Sequence, residues 1–302
     1  MSESAAIPPD ETGFDRILTF GLPDRHARGR AVRLGPALAT ILAAHDYPPA
    51  IKHLLAEALV LTALMAALLK DEGSQLTIQA QTEGGIVELL VCDYRDGELR
   101  GYVRHDGDRL AMLGANPSLF ALFGKGYLAI TFDLAATKQR YQGIVPLEGA
   151  SLAEACQAYF VQSEQLPTLI RVAVRSDAHG CVAGGLLVQH LAEGEEGRER
   201  LHVRPDHPEW EHVAVLAGST RHDELVDPAL SLEALVWRLF HEEPEVRVEP
   251  GVTLSRGCRC DAAYYESVLA KFPEAEREAM RNEAGEIVVD CAFCSRDFVV
   301  AI

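Results

Sequence analysis

The sequence predicts an α+β protein, and three observations carry that expectation. An early apolar stretch has helical spacing, a longer run of segments alternates with period two, and two close cysteine pairs fall within the last 45 of 302 positions. A chain of this length at 48% hydrophobic residues can bury a substantial core. Its formal charge of −17 makes it a poor match for a phosphate backbone, whose binding depends on Lys and Arg displacing counterions, so no nucleic-acid partner is expected.

The start, MSESAAIPPDETGF, looks disordered and lacks the basic region and apolar run of a secretory signal, which points to the cytosol. Helices are expected first. GPALATILAAHDYPPAIKHLLAEALVLTALMAALLKDEG reads as two, separated by Pro48 and Pro49 and closed by Gly73. Leu54 to Leu69 is apolar nearly all round, but its 16 residues include Glu57 and fall short of a bilayer, which requires roughly 20. A buried core helix is expected there, with no membrane partner.

The period then changes to two. QLTIQAQ, GIVELLVCDY, ELRGYVR, GYLAITFDL, RYQGIVPL, LIRVAVRS and CVAGGLLVQHL read as strands bounded by Gly, Asp and Asn. SLAEACQAYFVQS interrupts them as a helix, with Ser151 and Glu154 at capping-box spacing and Leu152, Cys156, Tyr159 and Phe160 on one face. Cys92, Cys156 and Cys181 sit in these apolar patterns as core cysteines. Together these elements predict an α+β core domain over residues 1–190.

Residues 191–250 carry 15 Asp or Glu against six Arg and no Lys, a net of −9, and five of the 11 histidines. The first half, AEGEEGRERLHVRPDHPEWEH, reads as a solvated connector, and His202, His207, His212 and His222 as solvated linker residues, with tuning by pH the alternative. The second half places Leu232, Leu235, Val236, Leu239 and Phe240 on one stripe behind a cap at Ser231, with Trp237 flanking it. Such a helix must dock its apolar face, and the core domain is the expected partner. The segment fits either an ordinary tether or a metastable linker of low local stability.

Residues 251–302 form the third part. Cys258 and Cys260 make a C-x-C pair and Cys291 and Cys294 a C-x-x-C pair, with 30 residues between the pairs. In a reducing cytosol such clusters are more often metal ligands or redox thiols than structural disulfides. The interval holds a helical stretch, AAYYESVLAKFPEAEREAM, and a turn, NEAGE; the second pair lies between IVVD and DFVV, at a hairpin tip with both sulfurs to one side. Two such pairs can converge on one tetrahedral centre. Four thiolates suit Zn²⁺, with sulfur at about 2.3 Å, and an iron–sulfur cluster is the rival. So small a unit lacks a secure core, so one zinc per chain is expected to hold its fold.

Most closed four-cysteine sites are structural. Against that stands the C-x-C spacing, and each pair is close enough in sequence to form its own disulfide, so a structural knob and a redox switch both remain open. A thioredoxin-type oxidoreductase on Cys291 and Cys294 is disfavoured, because there C-x-x-C opens a helix within a βαβ unit. No GxxxxGK[ST] nucleotide motif is present.

The cysteine spacing, together with AAHDYP, LLAEALVLTALMAALLK, GKGYLAIT, RYQGIVPLEG, YFVQSEQLPT, VAGGLLVQ and WRLFHEE, resembles the 33 kDa heat-shock chaperonins from about Phe14 to Val299. These are redox-regulated holdases of the bacterial cytosol. The resemblance implies a non-enzymatic, ATP-independent chaperone that binds unfolded or partly folded clients, with a core, a metastable linker and a C-terminal zinc switch. The reduced form would hold zinc through Cys258, Cys260, Cys291 and Cys294 and be inactive. Cys291 and Cys294 would respond to peroxide first, Cys258 and Cys260 would follow as the linker unfolds, and disulfides would form within each pair. A homodimer on activation is also implied. The acidic charge would keep clients dispersed. Ser295, rather than Gly, follows Cys294, and the chain ends at Ile302 soon after the last strand. The reading from another class is a zinc-stabilised adaptor or regulatory protein without redox switching.

Overall fold

Two strands precede the first helix, where the sequence leads one to expect helices first. They are β1 (Arg16–Leu22) and β2 (Ala27–Leu34) of a computed structural model that describes residues 13–69, 71–114, 116–177, 180–191 and 207–300. The disordered-looking start, most of the expected connector and His202 lie outside the described residues. Strand β2, ARGRAVRL, hides its period because Arg30 and Arg33 are buried with its apolar residues. Both faces of this strand are covered, so no apolar–polar alternation survives in the sequence.

Helices α1 (Pro36–Leu42) and α2 (Pro49–Ala66) follow, each opened by a proline whose fixed φ suits the first turn. By length and composition alone α2 could cross a membrane, but it is buried, packing against β2 and, from strands introduced below, against both sheets of the molecule. That double contact is why it is apolar nearly all round. Strands β3 (Gln75–Thr82), β4 (Val87–Arg95) and β5 (Glu98–His105) come next, then two short helices, α3 (Gly107–Ala111) and α4 (Leu119–Phe123), that no periodicity announced. The Asp106 and Ser118 side chains cap them.

Strands β6 (Gly126–Leu134) and β7 (Gln139–Pro146), helix α5 (Leu152–Tyr159), and strands β8 (Thr168–Asp177) and β9 (Gly180–His190) lie where alternation and capping placed them. Ser151 Oγ accepts from the Glu154 amide at 3.3 Å, while Glu57 from α2 accepts from the Ala153 amide at 3.1 Å, so α5 begins on two side-chain caps. Cys92 and Cys156 are fully buried, and burial pushes both thiols far up; Cys181 is half-buried.

Beyond residue 206 the chain is helical where a solvated connector was expected: α6 (Pro208–Gly218) buries Trp210, Val213 and Ala217. Helices α7 (His222–Val226) and α8 (Leu232–Phe240) follow, the latter capped by Ser231 Oγ on the Ala234 amide at 3.1 Å. Strands β10 (Arg247–Thr253) and β11 (Ser255–Arg256) were not foreseen, because RVEPGVT is wholly exposed and carries Pro and Gly inside it, as edge strands tolerate. The last elements are α9 (Ala262–Leu269), α10 (Glu274–Ala279) and the hairpin β12 (Ile287–Asp290) and β13 (Asp297–Val300). Pro273 divides what had read as one helical stretch into α9 and α10.

Among the described residues three sheets result, in the orders β10-β1-β2-β9-β8, β11-β5-β4-β3-β6-β7 and β12-β13. Helix α2 lies against β2, β8 and β9 of the first and β3, β4 and β5 of the second, and this layer is the main core. The other face of the first sheet presents Leu18, Phe20, Leu22, Ala31, Leu186 and Val188 to α6, α7 and α8, which contribute Trp210, Val213, Leu225, Leu235, Val236 and Phe240. The docked stripe of α8 is the one its spacing describes, and Trp237 stays exposed.

Candidate metal centre

The C-x-C pair is delivered by the edge of the second sheet. Ser255 and Arg256 pair in parallel with Glu98 and Leu99, and the Gly257 amide donates to Leu99 O at 2.9 Å. A Cβ at Gly257 would meet Glu98 Cβ at 2.5 Å, so only glycine lets the chain turn there into Cys258 and Cys260. The C-x-x-C pair is the tip of the β12–β13 hairpin, as its flanking runs predicted. The Cys291 amide donates to Arg296 O at 3.0 Å, and the Cys294 and Ser295 amides donate to Cys291 O at 3.1 and 2.8 Å. Ser295 closes the turn at φ 51°, in the left-handed region where glycine is easier.

The four sulfurs converge. Sγ–Sγ separations are 3.3 Å for Cys258–Cys260, 3.5 Å for Cys258–Cys291 and 3.6 Å for Cys260–Cys294, and all four lie within 4.8 Å of one another. Tetrahedral coordination by sulfur at about 2.3 Å sets neighbouring sulfurs ~3.8 Å apart, so this group can bind a metal ion. All four are free thiols, with Cys291 and Cys294 buried and Cys258 and Cys260 half-buried.

Two side chains near the sulfurs escaped sequence reasoning. Burial opposes ionisation of Cys294, but hydrogen bonds from the Arg296 side chain and backbone, then from Cys258 and Cys260, bring its thiol down to about 6. Arg296 Nη2 also donates to Cys260 Sγ at 3.4 Å. Burial, followed by the shared bonds with Cys260, pushes Cys258 up to about 12. Tyr265 on α9 hydrogen-bonds Cys291, and burial and that contact push its phenol up. A basic residue two positions beyond the second pair was the available signal for Arg296; Tyr265 has none beyond its place on a helix between the pairs.

The centre is docked on the core. Phe293, between the tip cysteines, stacks its face under the Arg100 guanidinium at 4.0 Å and meets Tyr102 edge-on at 4.9 Å. Arg259, between the other two cysteines, reaches Gln75 at 3.3 Å, Asp93 at 3.7 Å and Glu98 at 3.9 Å. Ser295 Oγ meets His45 Nδ1 at 3.1 Å. The unit's own core is small: Leu269, Ile287 and Val300, with Tyr265 and Val289 against them.

Ion pairs fasten the acidic segment to the first sheet. Arg16 of β1 donates to both carboxylate oxygens of Glu233 at 2.6 Å, and Glu243 accepts from Arg25 at 2.7 Å and meets His212 Nε2 at 2.6 Å. Of the histidines read as solvated, His212 is thus engaged, His207 lies beside His190, and His222 is exposed.

Fold and site together define a two-sheet α+β protein with an appended four-cysteine unit able to hold a metal ion. The sequence profile of the Hsp33 protein family matches residues 15–301, and the chain belongs to that family. It is 38% identical to a 33 kDa chaperonin of Caulobacter vibrioides across 96% of each chain. It is 36% identical to one of Nitrosococcus oceani, covering 94% of this chain and 90% of that one. The fold is also that of the 33 kDa chaperonin of Thermotoga maritima, with a TM-score of 0.76 over 95% of each chain at 22% identity. Membership of this family supports a chaperone function.

Proposed function

We propose that the protein is a redox-regulated, ATP-independent holdase of the cytosol, inactive while reduced and zinc-bound, that binds unfolding clients once oxidation releases the metal and the linker. One observation carries this reading. The segment covering the apolar face of the first sheet runs through β10 and β11 directly into the cysteine centre, so the fold of the centre bears on whether that face stays covered. In this reading residues 1–190 are the client-binding core, 191–250 the metastable linker and 251–302 the switch.

Zn²⁺, when bound to Cys258, Cys260, Cys291 and Cys294, would cross-link the two halves of a unit with too small a core to fold securely by itself. The Cys294 thiolate, favoured by Arg296, attacks one peroxide oxygen; the O–O bond breaks and hydroxide leaves. Cys291 then displaces the oxygen from the resulting sulfenic acid as water, so two thiols lose two electrons to one peroxide and form one disulfide. A second disulfide between Cys258 and Cys260 follows as the linker loosens. Without four ligands the unit unfolds, Phe293 leaves Arg100 and Tyr102, and the support beneath β10 and β11 is lost. Release of α6 to α8 would uncover Leu18, Phe20, Leu22, Leu186 and Val188 as an apolar surface for clients, with self-association into a dimer.

The test is light scattering from a heat-unfolding client, with the protein added either reduced and zinc-loaded or after peroxide treatment at raised temperature. Suppression by the oxidised sample alone, reversed by a dithiol, supports the switch. Equal behaviour of both samples removes it and leaves a zinc-stabilised adaptor. Peptide mass mapping of the oxidised sample then reads whether the disulfides lie within each pair or across them.

A further inference from the structure

A second cluster of metal-ligating side chains lies far from the cysteines in sequence, at the point where the core passes into the acidic segment. His190 is the last residue of β9, and its amide donates to Pro167 O at 3.0 Å. The residue is 3% exposed, yet neither ring nitrogen has a hydrogen-bond partner among the described residues. An imidazole buried in this way forfeits its hydration without replacement, a cost that native structures rarely leave standing.

Across from it stand two residues at the start of α6. His207 is the N-cap, but its side chain makes no cap bond, and its Nδ1 is buried with no hydrogen-bond partner among the described residues. Glu209, in the first turn, likewise leaves Oε2 buried and without a hydrogen bond among the described residues, 4.0 Å from His207 Nδ1. The His190 and His207 rings lie 5.0 Å apart, and the three ligand atoms are all within 4.8 Å of one another. Attraction of Glu209 to the helix dipole would explain a carboxylate in this turn. It leaves four buried atoms without hydrogen bonds, on three side chains, unexplained.

We propose that His190, His207 and Glu209 form a second metal site, which takes a divalent transition ion of the zinc, nickel or copper class with solvent completing the shell. Two imidazoles and one carboxylate are the donor set such ions prefer, whereas magnesium and calcium require oxygen. Ligand atoms around a tetrahedral ion sit ~3.3 Å apart, a contraction within reach of rotation about the side-chain bonds of His207 and Glu209, which are only half-buried. His190 belongs to the core sheet and the other two ligands to α6, so the ion would pin together the two ends of the stretch 191–207. A bound ion would therefore oppose undocking of α6. That consequence rests on linker release as the activating step, whereas the site itself does not.

The test uses full-length reduced protein with the cysteine centre already zinc-loaded, dialysed against further Zn²⁺, with metal counted per chain. Two ions are expected for the unaltered protein and one for His207→Asn and for Glu209→Gln, with the second ion bound at least about tenfold more weakly in each variant. Asparagine preserves the capping position and glutamine the shape, so circular dichroism should match throughout. One ion in the unaltered protein, or two retained in both variants, overturns the site. Hydrogen exchange across 208–218 should slow on addition of the second ion in the unaltered protein only; binding without slowing overturns the pinning. Metal counts are read with neither oxidant nor client, so a failed redox switch would leave them as they stand.

Discussion

The Nε atom of Arg33 donates to the carbonyl oxygen of Leu225 at 2.9 Å, joining a buried strand of the core to a helix of the acidic segment. The same guanidinium donates to Leu230 O at 2.6 Å and Glu224 O at 3.1 Å. One planar fork thus satisfies three carbonyls where α7 ends and the chain turns toward α8, which the point charge of a lysine could not do. Burial lowers the guanidinium to about 10, which leaves it charged at neutral pH. Replacing it strands three acceptors, so Arg33→Met should weaken docking of residues 208–240 by about 3 kcal/mol. Hydrogen exchange should show that segment opening faster while β3 to β6 keep their protection.

Gly184 and Gly185 are neighbours in β9 facing opposite layers. A Cβ at Gly184 would stand 2.1 Å from Leu225 O, in the acidic segment; one at Gly185 would stand 2.6 Å from Val60 in α2. Gly184→Ala should therefore push α7 off the sheet at a cost of about 1–3 kcal/mol and raise client binding by the reduced protein. Gly185→Ala should lower the melting temperature of the core without that gain. Light scattering and thermal unfolding on the two variants separate the effects.

Acid should loosen the same interface. Burial raises Glu243, but hydrogen bonds from Arg25 and then His212 outweigh it and hold the carboxyl below its ordinary value. A depressed folded-state value means the stabilisation is present above the unfolded value, about 4.3, and is lost as pH falls below that through the folded one. Docking of α6, followed by Trp210 fluorescence, should weaken below that range, and Glu243→Gln should flatten the dependence. Removing the pair should cost about 1–2 kcal/mol at neutral pH, since Arg25 is partly in water.

Removing metal should act on one end of the molecule. A strong chelator added to reduced protein is expected to abolish exchange protection across 258–300 and leave the main core protected, because the C-terminal unit buries few residues of its own. Retention of protection there would show that docking on Arg100 and Tyr102 suffices.

Ser295→Gly offers a stabilising counterpart. Glycine relieves the left-handed φ, worth about 1 kcal/mol, and gives up the contact with His45. A rise in the chelator concentration needed for unfolding would show that the backbone effect prevails.

Seven strands, the buried helix, the stripe of α8 and the hairpin tip were legible because each is written in neighbouring residues: alternation, a proline pair, a serine cap, flanking β-branched runs. Strands β1 and β2 were not, since their second face is buried by helices some 180 residues later in the chain, and Arg33, which looks solvated there, is satisfied by the distant carbonyls of Leu225 and Leu230. Helix α6 was masked by the acidic residues around Trp210 and Val213. The spacing of the cysteines foretold a four-sulfur cluster, because each pair is local and thiolates have few other uses in such numbers. Its docking through Phe293, the tuning of Cys294 by Arg296, and the meeting of His190 with His207 arise from long-range packing. Contacts between residues far apart in sequence leave no period to read, and burial and charge at those points are set only when the layers close on one another.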